Sequence, residues 1–160
     1  AIMPYLPGAR VLDMFAGSGQ LALEALSRGA ASAVACDRDP KACDVIRRNA
    51  QKCRLDDPGR LTILRSSFDR LHLLLPSGTG FDIVFIDPPY GTGLDVSALV
   101  YLRKHGLLAP GALAAVESNA KDTPSAPGYT LQRTYRYGDI AVTLLRLDDS
   151  VEEPISDQNG

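Results

Sequence analysis

The chain has 160 residues, 45% of them hydrophobic and 22% charged, which is the composition of one ordinary globular domain with a core able to bury about two-thirds of its unfolded surface. Seventeen basic residues face nineteen acidic ones, a formal charge of −2, and no run of 18 apolar residues suggests a membrane span. Three cysteines, Cys36, Cys43 and Cys53, form no CxxC pair, so a disulfide framework or a zinc site is not expected and reduced cytoplasmic thiols are.

The charge is unevenly spread. Positions 148–160 hold Asp148, Asp149, Glu152, Glu153 and Asp157 and no Lys or Arg, so residues 1–147 carry 17 basic against 14 acidic side chains, a net +3. That separates a mildly basic domain, compatible with a nucleic-acid partner, from an acidic tail without periodicity that is expected to be disordered. No charged-apolar-small leader opens the chain, so nothing points to secretion.

After a Pro-rich start, Arg10-Val11-Leu12-Asp13-Met14 reads as a first strand with no helix before it. Phe15-Ala16-Gly17-Ser18-Gly19-Gln20 follows, then a helix to about Arg28 with Leu21, Ala22, Ala25 and Leu26 on one face and Gly29 as its cap. Ala33–Asp37 is a second strand. Asp39-Pro40 opens a second helix, Asp as N-cap and Pro at the first helical position. Its inner stripe is Ala42, Val45, Ile46, Asn49 and Cys53; the outer Lys41, Arg48 and Lys52 read as a solvated face. A turn at 56–59 leads to a third strand at Leu61–Leu64 and a short helix over Phe68–Leu75. The fourth strand, Phe81–Ile86, is apolar enough to be buried on both faces. A helix at about Val96–His105 and a fifth strand at Leu113–Glu117 follow. Tyr129–Tyr137 and Ile140–Leu147 alternate around Gly138-Asp139 as a hairpin. Strand–helix alternation ending in a hairpin predicts a Rossmann-like α/β fold: a mostly parallel, doubly wound sheet with an antiparallel edge, in a domain spanning 1–147.

Two stretches carry chemistry. Gly17 and Gly19 let the loop after the first strand turn tightly against a ligand, and with Ala22 they make G-x-G-x-x-A. Asp37, closing the second strand, can accept both hydroxyl protons of a ribose. Together they predict an adenosine-bearing cofactor. Asp13, an acid at the end of the first strand, suits the ammonium of S-adenosylmethionine (SAM), a group that NAD lacks. The P-loop ending in Gly-Lys-Ser/Thr is absent, so ATP hydrolysis is not expected. No metal is expected.

The second stretch is Asp87-Pro88-Pro89-Tyr90. Two prolines stop the fourth strand in a rigid corner at its C-terminal end, where ligands bind in open α/β sheets. An exocyclic base amine is a poor nucleophile because its lone pair is delocalised. The Asp87 carboxylate and the Pro88 carbonyl, taking its two hydrogens, would localise that lone pair, and Tyr90 would stack on the base. The target base must be unpaired or flipped out. Glu117 is a further candidate for the pocket mouth. His72 and His105 read as structural or exposed.

The stretches Val11–Gly19 and Leu23–Ala30, together with Phe81–Tyr90 and Tyr137-Gly138, resemble the RsmD-type family of 16S rRNA guanine-N2 methyltransferases over about residues 8–147. The run Leu23-Glu24-Ala25-Leu26-Ser27-Arg28-Gly29-Ala30 is its most specific part. The resemblance implies a class I SAM-dependent methyltransferase that releases S-adenosylhomocysteine (SAH). Its substrate would be small-subunit rRNA or an assembling ribosomal subunit, and the enzyme would be a cytoplasmic monomer without a membrane partner. Carried over by position, Asp13, Phe15, Ala16, Gly17, Ser18 and Gly19 line the methionine end, and Asp37 with Arg38 holds the ribose. Ser67 and Phe68 meet the adenine, while Asp87, Pro88, Pro89 and Tyr90 hold the guanine. Two departures stand out: Ser67 occupies a place where the family carries an acid, and the family's basic N-terminal segment is missing. The residues alone leave open adenine N6 or a protein glutamine as the methylated amine, and a non-catalytic nucleotide-binding module.

Overall fold

The computed structural model describes residues 2–149. A one-turn 3-10 helix at Met3–Tyr5 leads into strand β1 (Arg10–Asp13), helix α1 (Gln20–Ser27), β2 (Ser32–Asp37), α2 (Pro40–Lys52) and β3 (Leu61–Arg65). A 3-10 turn at Phe68–Arg70 precedes the one-turn α3 (Leu71–Leu74). Then come β4 (Phe81–Ile86), α4 (Leu94–Lys104), β5 (Leu108–Asn119), β6 (Tyr129–Tyr137) and β7 (Ile140–Leu147). The strands form one seven-stranded sheet in the order β3-β2-β1-β4-β5-β7-β6. β1 to β5 are parallel; β7 runs antiparallel to β5, and β6 antiparallel to β7. This is the Rossmann-like arrangement expected from the alternation, a mostly parallel, doubly wound sheet with an antiparallel edge.

Side chains alternate across the strands, so neighbours in sequence enter opposite cores. Val11, Ile83, Phe85 and Ala115 pack with Ala22, Leu23, Leu26 and Ile46 from α1 and α2. Leu12, Val84, Ile86 and Val116 pack with Leu71, Leu99 and Leu102 from α3 and α4. Burial on both faces explains why β4 is a continuous apolar run rather than an alternating one.

Three helix and strand expectations shift. On α1 the buried stripe is Ala22, Leu23, Ala25 and Leu26, and Leu21 is 40% exposed. A 3.6-residue period admits either rotation, and packing of Leu23 into the core with Ile46 selects this one. On α2 the fully buried residues are Cys43, Ile46 and Ala50, while Val45 and Asn49 are half-buried and Cys53 is exposed. β5 begins five residues earlier than its apolar centre, because Gly111, at φ +70°, and a register shift opposite β4 let it bend past Pro110 without ending. The N-cap on α2 is as read: Asp39 Oδ1 accepts from Lys41 N at 2.9 Å.

His72 and His105 stack at 3.9 Å beside Tyr101, whose hydroxyl meets both the backbone N–H and the ring of His72, so both belong to a packed aromatic cluster. Of the acidic tail, Asp148 is held to β6, its N–H donating to Gly128 O at 2.8 Å and its carboxylate accepting from Thr130 Oγ1. The rest of that tail from position 150 lies outside the described residues.

Candidate active site at the strand ends

The chain lays down β1, β2 and β3 in one direction, then crosses back to place β4 on the other side of β1. The switch point therefore lies between the C-terminal ends of β1 and β4, where a crevice opens in sheets of this kind. Asp13 ends β1 and Asp87 follows β4 directly, so both carboxylates reach that crevice.

Asp13 is 1% exposed, and neither carboxylate oxygen has a hydrogen-bond partner. Burial pushes its carboxyl up from 3.8 to about 7, with the negative charges of Asp87 and Asp37 adding to the effect. The Ala22 N–H in the first turn of α1 offsets part of that penalty without closing a bond to either oxygen. An orphaned buried carboxylate is expensive, and a site that keeps one is waiting for a cation or a strong donor.

The glycine loop is tied down from two sides. Gly17 N donates to Asp37 Oδ2 at 2.9 Å, and Asn49 Nδ2 donates to Ser18 O at 3.0 Å. Gly19 has φ +78°, and a Cβ there would stand 2.8 Å from Ile46 Cγ2, so the loop needs a glycine for both conformation and space. Asp37 Oδ1 also accepts from Asp39 N at 2.9 Å. Each Asp37 oxygen thus holds one backbone N–H and keeps lone-pair capacity for a further donor. Arg38 follows it as the first residue beyond β2.

Beyond β3, Ser67 Oγ donates to Asp69 Oδ1 at 2.5 Å, which leaves the hydroxyl oxygen free to accept. The Phe68 ring lies 5.6 Å from Phe15 and edge-on to Tyr101 at 5.5 Å, an apolar wall beside the loop.

At the β4 end, burial raises the Asp87 carboxyl to about 7, with the neighbouring Glu117 adding to it. Glu117 is placed there by register: Ile86 pairs with Val116, so the next residue on each strand stands side by side. Tyr90 is 59% exposed, its ring available for stacking. A cleft of about 130 Å³ is lined by Pro88, Pro89, Tyr90, Glu117, Ser118 and Asn119. A larger groove of about 1100 Å³, lined by Arg103, Lys104, Leu108, Pro110 and Leu147, opens near the start of β5 and the end of β7. It is remote from these carboxylates and holds none of the predicted site residues.

The predicted residues stand at or just beyond the C-terminal ends of β1 to β4: the loop 13–19, Asp37 with Arg38, Ser67 with Phe68, and the corner 87–90, of which Pro88, Pro89 and Tyr90 line the small cleft. Sequence reading missed Asn49 as the clamp on the loop and Asp69 as the partner of Ser67. Asn49 carried a signal, being polar on an otherwise apolar helix stripe. Asp69 carried none beyond its spacing.

Residues 1–146 match the profile of the family described as Conserved hypothetical protein 95. The chain is 34% identical over 145 residues to Ribosomal RNA small subunit methyltransferase D of Escherichia coli, covering 89% of this chain and 71% of that protein. It is 33% identical over 146 residues to YlbH of Bacillus subtilis, covering 88% of this chain and 78% of the relative. Among solved structures, yhhF of Escherichia coli superposes with a TM-score of 0.83 at 32% identity, over 93% of this chain and 82% of that one.

Proposed function

This chain belongs to the Conserved hypothetical protein 95 family, the RsmD-type rRNA methyltransferases, and on that premise we propose that it transfers a methyl group from SAM to the exocyclic N2 amine of a guanine in small-subunit rRNA. The observation that carries the reading is Asp13: a buried carboxylate with no partner, one strand away from a rigid Asp-Pro-Pro-Tyr corner. An ammonium at Asp13 would restore the charged form that burial disfavours. The methionine end of SAM supplies such an ammonium, so the residues fit the group.

The roles then follow from the chain. The loop Phe15-Ala16-Gly17-Ser18-Gly19 brings its backbone close to the methionine part. Asp37 accepts from the ribose hydroxyls beside Arg38, and Ser67 with the Phe68 backbone meets the adenine edge. When bound, SAM supplies an electrophilic methyl on a sulfonium. Asp87 and the Pro88 carbonyl each accept one hydrogen of the N2 amine, turning its lone pair toward that carbon. Pro89 makes the corner rigid and Tyr90 stacks on the guanine face. Asp87 would receive the proton that N2 must give up once it is methylated. Positioning and preorganised acceptors do the work, since the sulfonium already supplies the driving force.

Calorimetry with SAM, SAH and NAD, joined to methyl transfer onto small-subunit rRNA with the modified nucleoside identified by mass spectrometry, tests this. The expected result is SAM and SAH binding, no NAD binding, and N2-methylguanosine. NAD binding without SAM binding would overturn the methyltransferase reading, and N6-methyladenosine as the product would overturn the guanine.

A further inference from the structure

The cleft beside the Asp87 corner is rich in acceptors. The register of β4 and β5 sets Glu117 beside Asp87, close enough for its charge to raise the Asp87 carboxyl. Among the described residues lining the cleft are Glu117, Asp95 and Asp122, and no Lys or Arg. Deeper in, Asp13 is buried with both oxygens unpaired, close enough for its charge to be felt together with that of Asp87. A cleft with Glu117 on its wall, Asp87 next to it in register and no Lys or Arg among its described lining residues suits a ligand edge with two adjacent donors.

Guanine has that edge: N1–H lies next to the N2 amine. Adenine and cytosine each set an acceptor nitrogen beside their exocyclic amine. We infer that Glu117 is the residue that selects guanine: its carboxylate accepts N1–H while Asp87, its neighbour across β4 and β5, accepts the adjacent N2–H. Against adenine or cytosine the same carboxylate faces a ring-nitrogen lone pair, so the contact is repulsive as well as unpaired. The inference rests on the guanine reading above and adds to it the residue that distinguishes one base amine from another. Pro88, Pro89 and Tyr90 fix where the base lies, but none of them reads N1.

The test uses the SAM-loaded protein and a small-subunit rRNA fragment spanning the guanine that the wild type methylates. A second fragment carries 2-aminopurine there, which keeps the 2-amine but has a bare N1. Single-turnover rates are compared for wild type, Glu117→Ala and Glu117→Gln, and the change in the guanine-to-2-aminopurine ratio from wild type to variant cancels the intrinsic reactivity of the amines. Wild type is expected to favour guanine by about 10- to 100-fold. Glu117→Ala should slow guanine by about the same factor and leave 2-aminopurine within about twofold, so the preference collapses. Glu117→Gln, whose amide can turn an N–H toward a bare N1, should speed 2-aminopurine above wild type. SAH affinity by calorimetry should be unchanged in both variants, and if Glu117→Ala fails this check the Glu117→Gln ratio decides. An unchanged preference in the variants, or an equal loss on both substrates, overturns the role of Glu117. A wild type that binds SAH and methylates an amine other than guanine in the rRNA overturns the guanine reading itself, and the selection with it.

Discussion

Replacing Asp13 by Asn should make the cofactor-free protein more stable and nearly useless for SAM. The carboxyl is lifted from 3.8 to about 7 by burial, and at 1.36 kcal/mol per decade that corresponds to a ceiling of about 4 kcal/mol of ionisation penalty above neutral pH. Asn has the same shape and no charge, but its amide is also buried without a partner, at a cost of about 1–3 kcal/mol. The expected net gain at pH 8 is therefore about 1–3 kcal/mol. The pH signature is sharper than the magnitude. Because the folded-state value lies above the unfolded one, the native protein binds more protons across this range, and its stability falls as pH rises from about 4 to about 7. Below about 4 both states are protonated and the penalty vanishes. Urea unfolding of wild type and Asp13→Asn at intervals from pH 4 to 8 should show the difference between them shifting by up to about 4 kcal/mol in favour of the variant toward the alkaline end. Parallel curves would refute the assignment of an uncompensated buried charge. Calorimetry on the same samples should show SAM affinity lost by about 100-fold or more in the variant, since a charge-assisted bond to the ammonium disappears. Unchanged SAM affinity would refute the proposed role.

Asp87→Ala should cut methyl transfer by at least about 100-fold while SAM affinity stays within about twofold, as expected of an acceptor acting on the amine rather than the donor. Single-turnover kinetics beside calorimetry would show it, and a fully active variant would refute the role. The transfer rate of the wild type should rise with pH through about 7 as Asp87 ionises, and Glu117→Gln should move that midpoint to lower pH by removing one of the influences that raise Asp87. An unmoved midpoint would mean that another group controls the profile. Gly19→Ala should cost about 1–3 kcal/mol in urea unfolding, because its Cβ would meet Ile46 at 2.8 Å in a left-handed conformation. In an Ile46→Ala background, which lacks the Cγ1 and Cγ2 atoms the new Cβ would meet, Gly19→Ala should cost less, a coupling that a double-mutant cycle measures.

Local chemistry was enough for much of this protein. β4, β6 and β7 run over the residues expected of them, because a continuous apolar run, strict alternation and Gly138-Asp139 each have one good backbone solution. The α2 start follows from Asp39-Pro40 for the same reason. The glycine loop and the Asp-Pro-Pro-Tyr corner were legible as the segments that end β1 and β4, since permissive glycines and rigid prolines each break a strand. What the tertiary structure decided are the relations between distant segments. The rotation of α1 depends on the core that receives Leu23, and the clamp of Asn49 on Ser18 spans 31 residues. Asp13 could be read as an acid at a strand end, but its lack of any partner is a property of everything packed around it. Glu117 meets Asp87 only through the register of β4 and β5, which no pattern within either strand encodes, because pairing energy is set by the neighbour and not by the strand alone.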